Sequence, residues 1–143
     1  MRITTKGRYA LRVMADLSIN ARSSYVPLKE VAARQAITVK YLEQIIMLLS
    51  KEGLLKSARG TGGGYQLARL PEAYTVGEIL RAAEGSLASV ACLAEAENHC
   101  PRKAQCCTLP VWEGLDRVVN QYLDSITLAQ VANDAGNIEN CVL

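Results

Sequence analysis

The sequence predicts a mainly α-helical chain with one small β-hairpin and a long apolar helix toward its C-terminus. Three observations predict it. Residues Thr38 to Arg69 read as a helix, a short strand, a glycine-rich turn and a second strand. Two helical stretches precede them, and only Ala36 and Ile37 separate the second from the third. From Leu109 onward a wide apolar stripe recurs at helical spacing.

Composition narrows the function. At 143 residues the chain fits one ordinary domain with an appended element. Half the residues are hydrophobic and none is Phe, so the core must be aliphatic. A net charge of +2 permits nucleic-acid binding without demanding it, and the placement of charge decides more. Arg2, Lys6, Arg8, Arg12, Lys40, Lys51, Lys56 and Arg59 fall early, whereas Glu95, Glu97, Glu113, Asp116 and Asp124 fall late. The N-terminal face is therefore expected to be basic. No apolar run approaches the ~20 residues needed to cross a bilayer. No signal-peptide pattern opens the chain. The expectation is a cytoplasmic protein with no membrane partner. Five cysteines in that compartment point to metal or redox chemistry rather than a disulfide framework.

The first helix is expected over residues 6–21, with Tyr9, Ala10, Val13, Met14, Leu17 and Ala21 inward and Thr5 as its cap. Arg8 and Arg12 share another face and are candidates for phosphate contact. Pro27 suits the start of a second helix, Leu28 to Gln35. Thr38 is placed to cap the third, whose Leu42, Ile45, Ile46 and Leu49 form the buried stripe. Its outer face carries Lys40, Tyr41, Glu43, Gln44 and Lys51, and Gly53 ends it. The strands are expected at Leu54 to Ala58 and Tyr65 to Arg69. Arg59, Gly60 and Thr61 sit at the tip, followed by three more glycines that permit a tight reversal. Helix, helix, turn, helix, hairpin is the winged helix-turn-helix pattern. Its third helix would enter the major groove, and its hairpin would touch the adjacent backbone or minor groove.

Thr75 is placed to cap a fourth helix, Val76 to about Glu84, which Gly85 closes. The organisation expected is a DNA-binding domain over 1–85, a cysteine-rich loop over 86–108, a dimerisation helix region over 109–132 and a flexible tail over 133–143. Trp112, Leu115, Val119, Tyr122 and Ile126 make a stripe wider than one small domain needs. Packing against a second copy is the expected use, with folding back onto the same winged helix as the alternative.

The loop presents Cys92, Cys100, Cys106 and Cys107 as C-x7-C-x5-C-C, which is not the paired spacing of a zinc ribbon. Thiolates bind soft metals and iron–sulfur clusters, where four protein ligands are usual. Cys92, Cys100 and Cys106 can wrap one cluster. The fourth ligand stays open between His99 and Cys107, and Arg102 and Lys103 would favour thiolates. Cys141 is read as a bystander. No acid–base pair, activated nucleophile or phosphate-binding strand-loop-helix is present, so an enzyme is not expected.

The opening RITTKGRYALRVM, the YLEQI of the third helix, the RGTGGGYQLAR hairpin, VGEILRAAEG and the W…L…SITLAQV ending resemble the Rrf2 family of bacterial winged-helix transcription regulators. The likeness covers about residues 1–132. The cysteine loop followed by T-x3-W is similar to the iron–sulfur-cluster branch of that family, and aligns Cys92, Cys100 and Cys106 with its cluster ligands. Leu109 stands where that branch has a histidine, and Arg8 where a nitric-oxide-sensing branch has an aspartate. The spacing from Cys92 to Cys100 is also longer than in the iron–sulfur branch. The cysteine-metabolism branch lacks these cysteines. The resemblance implies a homodimeric repressor of iron–sulfur biogenesis genes that holds an iron–sulfur cluster, with 2Fe–2S favoured over 4Fe–4S. The iron–sulfur assembly machinery would be a further partner. Nitric-oxide or redox sensing is the alternative. It further implies Tyr41, Glu43 and Gln44 at base edges, Arg59 in the minor groove, and Lys6, Lys40 and Thr61 on phosphates of a near-palindromic operator. Arg8, Thr38 and Gly60 complete the expected DNA surface.

Overall fold

A computed structural model of the chain describes residues 1–137. Helix α1 spans Thr5–Asn20, α2 Leu28–Gln35 and α3 Val39–Lys51. Ala36 closes α2 in the left-handed region at φ 53°, which turns the chain toward α3. The Thr38 hydroxyl caps α3 by accepting from the Tyr41 N–H at 3.2 Å. At α1 the cap position falls to Thr4 rather than Thr5, and the Thr4 side chain caps nothing on its own helix.

Strands β1, Leu55–Ala58, and β2, Gly64–Leu67, pair antiparallel with Leu55 opposite Leu67. They are shorter than the sequence suggests. The Arg69 N–H leaves the ladder to donate to the Tyr74 hydroxyl at 2.9 Å, and that hydroxyl donates to the Leu54 carbonyl at 2.7 Å. On its outer edge Tyr65 exchanges two backbone bonds of 2.9 Å with Val26. Gly64, at φ 147°, lies against the Val26 carbonyl, which a Cβ would overlap. The hairpin is thereby stapled to the segment entering α2.

A 3-10 turn at Pro71–Ala73 leads to α4, Val76–Glu84, capped by the Thr75 hydroxyl. One core joins these elements: Met14 and Leu17 of α1, Leu42, Ile45 and Leu49 of α3, Tyr74, Ile79 of α4 and Leu128 are all buried. Each buried aliphatic side chain contributes about 1.5–3 kcal/mol. Exposed ion pairs contribute about 0–1 kcal/mol, so the core decides the fold.

The helix region expected over 109–132 is built from two helices. Helix α5 ends at Ser125 after starting at Leu109, and a separate α6 runs Leu128–Asn137. Between them the Ile126 carbonyl accepts from the Val76 N–H at 2.9 Å, and the Leu128 N–H donates to the Tyr74 carbonyl at 3.0 Å. Those groups cannot also serve a continuous helix. Thr127 and Gln130 then form a reciprocal capping box. The Gln130 N–H donates to the Thr127 hydroxyl at 3.2 Å, and the Thr127 N–H donates to Gln130 Oε1 at 2.8 Å. Residues 133–137, expected in a flexible tail, belong to α6. The rest of that tail, with Cys141, lies outside the described residues.

Candidate nucleic-acid interface and cysteine loop

The second turn of α1 meets the first turn of α3, while Lys6 in the first turn of α1 shares a cleft with Leu48, Lys51 and Glu52 at the far end of α3. Tyr9 meets Tyr41 edge to face with centroids 6.0 Å apart. Lys40, Glu43 and Gln44 are exposed on α3, Tyr41 is half-buried, and Arg59, Gly60 and Thr61 are exposed at the hairpin tip. Arg8 on α1 is exposed, and its guanidinium donates to the nearby Thr5 hydroxyl at 3.0 Å. Lys6 is half-buried beside it. The α3 face thus presents a carboxylate, an amide and a phenol, which can pair with base edges, beside cations that can meet phosphates.

Arg12 has a different task from the one its spacing suggests. Its Nε donates to Gln35 Oε1 at 3.0 Å, and its guanidinium rests over the Tyr9 ring at 4.9 Å. Gln35 in turn donates to Asp16 Oδ2 at 2.8 Å, and Arg34 grips the same carboxylate with two nitrogens, at 2.7 and 2.9 Å. Asp16 is only 2% exposed. This hydrogen bonding holds the Arg34 guanidinium above its ordinary pKa, against the desolvation that opposes it. The four side chains tie α1 to the end of α2 and so fix where α3 departs. Sequence spacing gives Asp16 no role, because its partners Arg34 and Gln35 lie too far along the chain.

The cysteine loop is built from short-range contacts. Cys92 lies in a 3-10 turn, Ala91–Leu93, and a second, Lys103–Gln105, precedes Cys106. The Cys100 N–H donates to Asn98 Oδ1 at 2.9 Å, and the Cys100 carbonyl accepts from the Lys103 N–H at 3.1 Å. Leu87 packs the start of the loop against Val76 and Leu80, and two hydrogen bonds tie it outward. The Ser89 N–H donates to Asp116 Oδ1 of α5 at 2.8 Å, and the chain's terminal ammonium donates to the Ser89 carbonyl at 3.2 Å.

Cys92, Cys100 and Cys106 are half-buried, and Cys107 is exposed. Cys106 sits at the start of α5 with its Sγ 3.4 Å from the Thr108 hydroxyl. That hydroxyl, with the Thr108 and Leu109 N–H groups, holds the Cys106 thiol below its ordinary pKa. His99 is exposed and lies 3.9 Å from Glu95, while Leu109 is buried. The donor chemistry fits a soft metal. The arrangement does not supply a closed ligand set, because among the described residues no three His, Cys, Asp or Glu side chains converge.

Helix α5 divides its apolar residues. Leu123 and Ile126 pack toward Val76 and Leu80 of α4, whereas Val111, Val118 and Tyr122 remain 61%, 61% and 64% exposed. Polar bonds hold the helix on α4, with Arg81 donating to Asn120 Oδ1 at 2.8 Å and to Asp124 Oδ1 at 2.5 Å. Among the described residues, no helix is long and apolar enough to cross a membrane.

The Rrf2 family model, described as an iron-dependent transcriptional regulator, matches residues 3–134. The chain belongs to the Rrf2 family. It is 37% identical over 134 residues to the HTH-type transcriptional regulator IscR of Erwinia tasmaniensis, covering 94% of this chain and 80% of that one. The structure resembles that of T. potens IscR, with a TM-score of 0.75 and 38% identity over 98% of this chain and 93% of the other. It also resembles CymR, the global cysteine regulator of B. subtilis, with a TM-score of 0.70 and 33% identity over 93% of this chain and 97% of the other. This Rrf2 protein is a winged-helix, DNA-binding transcription regulator and not an enzyme.

Proposed function

We propose that the chain acts as a homodimeric repressor that senses iron–sulfur status through its cysteine loop and controls genes of iron–sulfur cluster biogenesis. The observation that carries this reading is the attachment of the loop to α5. Cys106 lies just ahead of the first turn of that helix, and Ser89 is bonded to Asp116 two turns further along. Drawing Cys92, Cys100 and Cys106 together would therefore act on the helix whose outer face is apolar. That face, with Val111, Trp112, Leu115, Val118 and Tyr122, is where the second copy packs. Two reading heads at a fixed separation then match a near-palindromic operator.

In each head Tyr41, Glu43 and Gln44 face bases. Glu43 selects by exclusion, accepting from a cytosine amino group and repelling guanine acceptors. Lys6, Arg8, Lys40 and Thr61 meet phosphates, and Arg59 enters the minor groove. An iron–sulfur cluster would supply oxidant-sensitive bonds to three thiolates, with His99 or Cys107 as the fourth ligand and 2Fe–2S as the type. The free Cys106 thiol beside the Thr108 hydroxyl, with exposed Cys107 next to it, supports one second reading, a nitric-oxide or thiol-redox sensor on the same scaffold.

Anaerobic purification followed by visible absorption and iron and acid-labile sulfide assays tests the cluster. Brown protein with matched iron and sulfide is expected, and Cys92→Ala should be colourless. Wild-type protein that stays colourless after reconstitution with iron and sulfide would remove the cluster and leave the thiol reading.

A further inference from the structure

Glu84 is the last residue of α4, yet its carboxylate serves the start of α1. It accepts from the Thr4 N–H at 2.8 Å, the Thr4 hydroxyl at 2.8 Å and the Gly7 N–H at 3.1 Å. The first N–H groups of a helix lack partners within it, and a negative charge there also meets the favourable end of the helix dipole. With no cap from its own side chains, α1 takes one from a residue far along the chain. Gly7 is buried against this carboxylate, and a Cβ at that position would overlap Glu84 Oε1.

The body of α1 does not need this clamp. Ala10, Val13, Met14 and Leu17 are already fully packed in the core. The first turn is the part that Glu84 controls, and it carries Lys6 and Arg8 on either side of Gly7. One residue further, Tyr9 touches Tyr41 of the reading helix.

We propose that Glu84 is a positioning residue for DNA recognition, clamping Thr4 and Gly7 so that Lys6 and Arg8 meet phosphates beside α3. This rests on the DNA-contact reading of α1 and α3 given above. The clamp also explains why an acidic side chain is compatible with a DNA-facing helix end. Its oxygens are occupied by N–H and hydroxyl donors, while the cations flanking it carry the outward field.

The test measures how affinity depends on salt, using a DNA duplex selected from a random-sequence library by the wild-type protein. The slope of log affinity against log salt falls by ~0.9 for every phosphate that the protein no longer neutralises. Glu84→Ala should therefore lower the slope by about 1–2, and adding Lys6→Ala to it should lower it less than Lys6→Ala does alone. Gly7→Ala displaces the carboxylate while favouring helix, so it should lower the slope too without depending on whether Glu84→Ala folds. Wild-type slopes in folded Gly7→Ala and Glu84→Ala would overturn the clamp. Failure of the wild-type protein to select any duplex would instead overturn the DNA-contact reading on which it rests.

Discussion

The winged-helix half and the cysteine-bearing stretch of the loop, residues 92–107, are held by different kinds of bond. In the first, contacts that fix the reading helix span long stretches of chain: Asp16 to Arg34, Arg12 to Gln35, Leu54 to Tyr74, Glu84 to Gly7. In the second, Cys100 bonds Asn98 and Lys103, and Cys106 bonds Thr108, all within a few residues. Long-range contacts set the positions of whole elements relative to one another. Short-range ones set only local turns. The proposed DNA-reading surface is therefore pre-organised by its own chain, while the spacing of the thiols is not.

The largest effect is expected at Asp16, which is buried with its charge divided between Arg34 and Gln35. Removing the buried carboxylate leaves the buried Gln35 amide and the exposed Arg34 guanidinium without their acceptor, which costs as much as about 3 kcal/mol. Asp16→Ala should lower stability by about that amount in urea unfolding, and reduce DNA affinity through the misplaced start of α3. The thiols should react as before with a water-soluble alkylating probe under conditions where the variant stays folded. A stability loss below about 0.5 kcal/mol, the range of ordinary surface changes, would mean that the network does not organise this half.

A smaller effect is expected on α5, where the difference lies between the two faces of one helix. Tyr122 is 64% exposed, whereas Leu123 packs into the cluster around Val76 and Leu80. Tyr122→Glu should weaken self-association by about tenfold or more in sedimentation, since a buried aromatic anchor is worth ~2 kcal/mol at an interface. Thermal stability of the dissociated chain should stay nearly unchanged. A chain that sediments as a monomer before mutation would leave this apolar face without its proposed occupant.

Most of the first half was legible because local rules sufficed. Thr38 and Thr75 announced their helices by position, Pro27 the start of α2, and the spacing of Leu42, Ile45, Ile46 and Leu49 the buried face of α3. What escaped was non-local. Arg12 looked like a phosphate contact because its partner, Gln35, lies on another helix. Glu84 looked like an ordinary helix end. The break at Ile126 did leave a local signal, the Thr127-x-x-Gln130 box, which the apolar stripe ending at Ile126 does not reveal. In the loop, the cysteines and their spacing were plain, while their separation in space depended on turns that no periodicity encodes.

The smallest effect concerns the turn that joins α2 to α3. Ala36 adopts φ 53°, a conformation that costs a side-chain-bearing residue about 1–2 kcal/mol and glycine almost nothing. Glycine also loses more backbone entropy on folding, about 0.5–1 kcal/mol. The two effects oppose, and the steric one is larger, so Ala36→Gly should stabilise the protein by roughly 0.5 kcal/mol. Urea unfolding of the variant beside the wild type resolves a shift of that size when the slopes match. Because Asp16, Arg34 and Gln35 fix the end of α2 independently, the extra backbone freedom should leave DNA affinity unchanged. A stabilised variant that binds DNA more weakly would show that Ala36 itself, and not the buried network alone, sets the angle at which α3 is presented.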